Sequence, residues 1–139
     1  MLVETRLVPG ALLRNASLRF ICRQTHLRLE NESATFTGQM KKGDVIHVPV
    51  AHGEGNYVVA ADTLKAMNDN GQVAFRYCGP DGRELVDING SVDSIAGVYN
   101  ETKTILGMMP HPERATDPLM GSADGLTVFR SIVTAFAAK

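Results

Sequence analysis

Across residues 17–30 apolar and polar positions alternate closely enough to predict a strand, with Leu18, Phe20 and Cys22 on one face and Leu27 and Leu29 resuming after a polar break. Residues 44–50 predict a second strand. Its Pro49 has no N–H for a ladder, so this strand should lie at a sheet edge or end there, just before the glycine-rich run Ala51-His52-Gly53-Glu54-Gly55-Asn56-Tyr57. Residues 73–77 form a β-rich run closed by the turn cluster Gly79-Pro80-Asp81-Gly82, and 95–99 with 104–109 read as a hairpin around Asn100-Glu101-Thr102-Lys103. Two helices are predicted. Asp62 is the expected N-cap of the first, over 63–70, with Leu64 and Met67 on one face and Gly71 as its stop. The second follows Asp117-Pro118, is expected to be capped by Ser122, and sets Leu126, Phe129, Ile132, Val133 and Phe136 toward a core. At the start, Leu2, Val3, Leu7 and Val8 read as the end of an apolar element halted by Pro9-Gly10, as though the chain begins in mid-structure. The mixture predicts an α/β fold with candidate sites where strands end.

With 139 residues and 44% hydrophobic content, the chain is expected to form one domain, residues 1–139. Its 14 Lys+Arg against 15 Asp+Glu form no long block of either sign, which argues against a nucleic-acid groove or a membrane surface. A small molecule or a protein is the expected partner. Cys22 and Cys78 form no C-x-x-C pair, and the N-terminus has neither the basic start nor the long apolar run of a signal peptide or membrane span. A reducing cytoplasm is the expected setting.

The densest chemistry lies in Gly107-Met108-Met109-Pro110-His111-Pro112-Glu113-Arg114, where an extended backbone would turn His111 and Glu113 the same way. A carboxylate beside an imidazole accepts its Nδ1 proton, sets its tautomer and stabilises the imidazolium, which is the base-and-orienter half of a nucleophilic triad. The competing account is a stiff, solvated surface turn, but the apolar run 105–109 carries the pair to its tip. His52 and Glu54 repeat the spacing between glycines that allow a ligand close to the backbone. The two pairs together offer two imidazoles and two carboxylates, a possible divalent-metal set in a hydrolase. That reading ranks below mutual hydrogen bonding, because the prolines hold His111 and Glu113 together. No nucleophile accompanies them: Cys22 lies between Ile21 and Arg23, Cys78 between Tyr77 and Gly79, and both read as packing residues rather than an elbow. Gly38-Gln39-Met40-Lys41-Lys42-Gly43 has the wrong order for a phosphate loop, so any ATP step belongs to another polypeptide.

Taken together, 7–20 (Leu-Val-Pro-Gly-Ala-Leu-Leu-Arg-Asn-Ala-Ser-Leu-Arg-Phe), 49–57, 107–114 and Gly121-Ser122-Ala123-Asp124-Gly125-Leu126 resemble the class I glutamine amidotransferases, specifically the glutaminase subunits of phosphoribosylformylglycinamidine synthase. The resemblance runs the length of this chain and covers the C-terminal part of the family's domain. It implies an open flavodoxin-like α/β sheet with flanking helices, its N-terminal strands missing here, and a nucleophilic cysteine elbow a few residues before the position where this chain starts. By the motif match His111 is the general base and acid, Glu113 the carboxylate that orients it, and the segment His52-Gly53-Glu54 the approach to bound glutamine, through backbone N–H groups at Gly53 and Glu54. The implied partners are glutamine, an ATP- and Mg-using synthetase subunit and a small accessory subunit, with no cofactor or metal in this chain. A chain lacking its nucleophile and first strands is expected to be inactive alone and to expose apolar edges. The alternatives are a non-catalytic docking partner of the synthetase and the metal-dependent hydrolase.

Overall fold

Val73–Cys78 and Ile95–Tyr99 read as apolar runs rather than alternations because every residue of both strands is buried. They are central strands of the computed structural model, which describes residues 2–137. In chain order the strands are β1 (Ala11–Leu13), β2 (Ile21–Leu29), β3 (Val45–His52), β4 (Asn56–Val58), β5 (Val73–Cys78), β6 (Ile95–Tyr99) and β7 (Leu106–Met108); the helices are α1 (Ala61–Asp69) and α2 (Leu126–Ala137). Five strands form an open sheet in the order β3-β2-β5-β6-β7, and β1 pairs with β4 in a small second ribbon. Each of these pairs is antiparallel, so the fold is mixed α/β with an antiparallel sheet.

Adjacent residues of β6 fall into different cores. Tyr99 packs with Leu27, Val48, Phe75 and Val128 of α2, whereas Val98 packs with Val8, Tyr57, Val73 and Met67 of α1. The β6–β7 hairpin forms as its sequence predicts, with Asn100 Oδ1 accepting the Thr104 and Ile105 N–H groups across the turn. Pro49 lies in the edge strand, as its missing donor requires. Gly71, at φ 63°, follows the Asn70 C-cap of α1, and Gln72 N–H bonds to Met67 O. Among the described residues no helix is long and apolar enough to cross a membrane.

Five local expectations are corrected. The predicted strand at 17–30 starts only at Ile21: Leu18 has a positive φ, Leu18 and Phe20 are exposed in the preceding loop, and Cys22 is exposed, while Thr25, Leu27 and Leu29 face the core. The polar break at Thr25 thus marks the inward face. Residues 2–10 are turns and bends rather than the end of an element, though Val8 is buried. Helix α1 takes Ala60, not Asp62, as its N-cap; Asp62 lies inside the first turn. Neither does Ser122 cap α2, which begins at Leu126 after a short 3₁₀ turn at Pro118–Met120. That helix is also rotated from the expected orientation: Val128 and Ser131 are buried, with Ser131 Oγ accepting the Gln39 N–H at 3.0 Å, and Phe129, Val133 and Phe136 face outward. An exposed apolar stripe of this kind favours association. Size-exclusion chromatography of the isolated chain is expected to show self-association that weakens in Val133→Glu; a compact monomer would contradict it.

Candidate functional site

Strand β7 ends at Met108, and the Met109 N–H still bonds to Ala96 O at 3.0 Å, so the chain enters Pro110-His111 anchored to the sheet rather than as a free loop. The His111 N–H then donates to Pro49 O of edge strand β3 at 2.8 Å. Pro49 thus has a positive use: lacking a donor itself, it offers its outward carbonyl as the latch for His111. From there the backbone is not extended as the alternating prolines suggest. Pro112 opens a 3₁₀ turn, Pro112–Arg114, closed by Arg114 N–H to His111 O and Ala115 N–H to Pro112 O. The turn folds Glu113 back beside its neighbour, and His111 Nδ1 lies 2.8 Å from Glu113 Oε1. Both side chains are open to solvent, at 31% and 55% exposure. His111 Nε2 has no partner among the described residues, leaving it free for chemistry.

Two residues behind the turn hold it in place. A Cβ on Gly125 would lie 2.0 Å from Pro112 O and 2.8 Å from Ala115 O, so the backbone before α2 rests directly on the His111–Glu113 turn. Next to it, Asp124 Oδ2 accepts the His47 N–H of β3 at 2.8 Å. Asp124→Ala is expected to cost about 1 kcal/mol, the net worth of one such bond. It should also speed hydrogen exchange at the His47 amide, and unchanged exchange would contradict the contact.

The second predicted pair does not assemble as a pair. His52 is 7% exposed and turned inward, whereas Glu54 is exposed. His52 Nδ1 lies 3.1 Å from Asn15 Oδ1, and His52 Nε2 3.3 Å from Asn89 Nδ2. Burial pushes its pKa down, its own backbone hydrogen bond raises it, and the charge of the His111 imidazole lowers it. The Gly53 and Glu54 N–H groups donate to no acceptor in the described chain. Among the described residues no three His, Cys, Asp or Glu side chains gather as a metal ion would need, which withdraws the geometric support for the two-pair metal set.

Neither cysteine bonds to His111. Cys78 is buried and its thiol pKa is raised, first by burial; Arg28 opposes this, and Glu30 and Asp81 add to it. It is the packing residue that its sequence context suggests. Cys22 is not: it stands exposed on the outer face of β2, opposite Ala51. A groove of about 240 Å³ runs along the β6–β7 side, lined by Leu2, Leu12, Tyr57, Gly97, Met108 and Met109, and reaches the residue before Pro110. Sequence reasoning missed Asn15 and Asn89, which flank His52, and Ser91, which bonds to Asn89. Asparagine and serine in turn-rich segments usually face water, and no local signal distinguishes these three.

His52 and His26 both favour a fold that weakens in acid. The His26 ring stacks on His47 with centroids 4.5 Å apart, and its pKa is lowered first by burial, then by His47, with Asp124 opposing. Both groups titrate below 6.5 in the folded chain and near 6.5 unfolded. The unfolded state therefore takes up protons first as pH falls, so the stability contribution is complete above about pH 7.5 and is lost downward from about 6.5. A lower urea midpoint at pH 5.5 than at 7.5 is expected, with part of the difference gone in His26→Gln; equal midpoints would contradict this.

This fold and site define a class. The chain belongs to the glutamine amidotransferases, since the CobB/CobQ-like glutamine amidotransferase domain matches residues 1–127. It is also similar to a chain in the structure of PurLQS from Thermotoga maritima, with 42% sequence identity and a TM-score of 0.82. That likeness covers 97% of this chain and 57% of the other, so the chain spans little more than half the length of that relative. The resemblance and the partial class I amidotransferase fold expected from the sequence both hold.

Proposed function

We propose that residues 1–139 are the C-terminal part of a single class I glutamine amidotransferase domain, the glutaminase of phosphoribosylformylglycinamidine synthase in purine biosynthesis. The observation that carries this is the 2.8 Å contact between His111 Nδ1 and Glu113 Oε1, with Nε2 unpartnered, on a turn latched to a sheet edge. Glu113 orients the ring so that Nε2 takes and returns a proton. The nucleophile is a cysteine supplied from outside these 139 residues. Its thiolate attacks the glutamine side-chain carbonyl carbon, the C–N bond breaks, and ammonia leaves with a proton from His111. His111 then deprotonates water, which attacks the thioester to give glutamate and regenerate the thiol. The Gly53 and Glu54 amides receive the carboxylate of bound glutamine. Ammonia passes to a synthetase subunit that uses ATP and Mg to convert formylglycinamide ribonucleotide to the amidine, with a small accessory subunit in the complex. The likeness to a PurLQS chain supports that assignment.

A docking role without chemistry is the second reading, favoured by the absence of any bond from Cys22 or Cys78 to His111. Assaying the assembled complex for glutamate and ammonia release from glutamine separates the two. Glutaminase activity that needs His111 is the expected result, and a complex that works only with free ammonia would favour docking.

A further inference from the structure

The loop 52–55 is held by a buried, uncharged network whose every described bond leaves the same two groups over. Asn15, fully buried, uses its whole hydrogen-bonding capacity: Nδ2 donates to Arg19 O at 2.7 Å and to His52 O at 2.8 Å, and Oδ1 accepts from Gly55 N–H at 2.9 Å and faces His52 Nδ1 at 3.1 Å. Its own N–H donates to Gly53 O at 2.9 Å. From the other side Asn89 Nδ2 donates to Gly55 O at 2.8 Å, Asn89 Oδ1 accepts from Ser91 N–H at 3.1 Å, and the single Ser91 hydroxyl proton is shared between Asn89 Oδ1 at 2.7 Å and Gly55 O at 3.1 Å. Both amide nitrogens of Asn15 and Asn89 are thereby committed as donors, which fixes the His52 tautomer: Nδ1–H points to Asn15, and the Nε2 lone pair faces Asn89. A Cβ at Gly55 would sit 2.2 Å from the His52 ring, so the loop lies flat on the imidazole. What remains are the N–H groups of Gly53 and Glu54, successive donors with nothing to bind.

Resting on the glutaminase reading, we propose that Asn15 and Asn89 are positioning residues for glutamine: through His52 they clamp the loop so that the Gly53 and Glu54 amides are aimed at the substrate carboxylate before it arrives. Preorganised amides need no reorientation when the anion binds, and a network without formal charge does not compete with them for it. Aspartate does not replace Asn15, because it has the acceptors but neither donor. The clamp acts on binding rather than on the bond-breaking step, which belongs to His111 and Glu113.

The test compares wild type, Asn15→Asp and Asn89→Ser in the enzyme assembled with its nucleophile and synthetase. The clamp predicts that KM for glutamine rises about tenfold or more in each variant while kcat stays within about twofold, and that ammonia-dependent synthesis is unchanged. In Asn15→Asp, NMR of the His52 ring should also show a titration moved upward, because a carboxylate now faces Nδ1. Unchanged KM in variants whose His52 spectra show the network broken overturns the clamp and leaves the glutaminase reading standing. So does a fall in kcat at constant KM. A wild-type complex that releases no ammonia from glutamine removes the reading itself, and the clamp with it. Should Asn15→Asp fail to fold, Asn89→Ser, which keeps the Asn15 bonds, decides alone by the same split.

Discussion

Replacing His111 with alanine in the assembled enzyme should lower glutamine-dependent turnover by about 10²- to 10⁴-fold, the range for losing a positioned general base, while synthesis from free ammonia continues. On the proposed mechanism the two activities part because the imidazole serves the thiol, the leaving amine and the attacking water, and no step at the synthetase. The ring is partly exposed and bonds to the exposed Glu113 carboxylate, so the variant should keep wild-type stability within about 0.5 kcal/mol. Steady-state rates with glutamine and with ammonium chloride check this directly. If both activities fell together, His111 would be structural, and the assigned proton transfers would be wrong.

The second large effect is expected at Gly125, far from any reacting atom in sequence. A methyl there would meet the Pro112 and Ala115 carbonyl oxygens, both backbone atoms of the 3₁₀ turn that carries Glu113. Side chains can rotate away from such a clash; a backbone turn latched at Pro49 cannot without moving His111. Gly125→Ala should therefore destabilise by about 3 kcal/mol, at the upper end for overpacking. It should also lower glutamine-dependent kcat, because misplacing a catalytic pair is costly even when the chain folds. Denaturant titration and the glutaminase rate are the two readouts, and a variant as stable and active as wild type would show that α2 does not brace the turn.

How far the sequence disclosed this arrangement depends on whether the deciding contact was local. Strands β3, β5 and β6 and the Gly71 stop were legible because periodicity, buried runs and turn residues act within a few positions. Pro49 announced its edge position through its missing donor. The His111–Glu113 contact was legible in its partners but not in its backbone: two prolines suit an extended segment and a 3₁₀ turn equally, and the Pro49 carbonyl, 62 positions away, selects the turn. For β2 the pattern misled, since Phe20 and Cys22 are apolar yet exposed, and Thr25, counted as a break, points inward. Apolar residues populate surfaces freely, so alternation identifies a strand better than it identifies the inner face. The same ambiguity rotated α2, whose larger apolar residues lie outside and whose buried Ser131 satisfies Gln39. The Asn15–His52–Asn89 network was not legible at all. Each bond in it between side chains spans 37 positions, and no composition rule turns an asparagine inward.

As proposed, the His111–Glu113 pair serves a sulfur nucleophile lying outside residues 1–139. Measuring ammonia release from L-glutamine by the 139-residue chain alone, and by the same chain joined to the preceding cysteine-bearing segment of the family domain, tests it most directly. Release is predicted only from the joined chain, and it should vanish when that cysteine is changed to serine. Glutamine hydrolysis by the 139-residue chain alone, at the rate of the joined one, would contradict the claim.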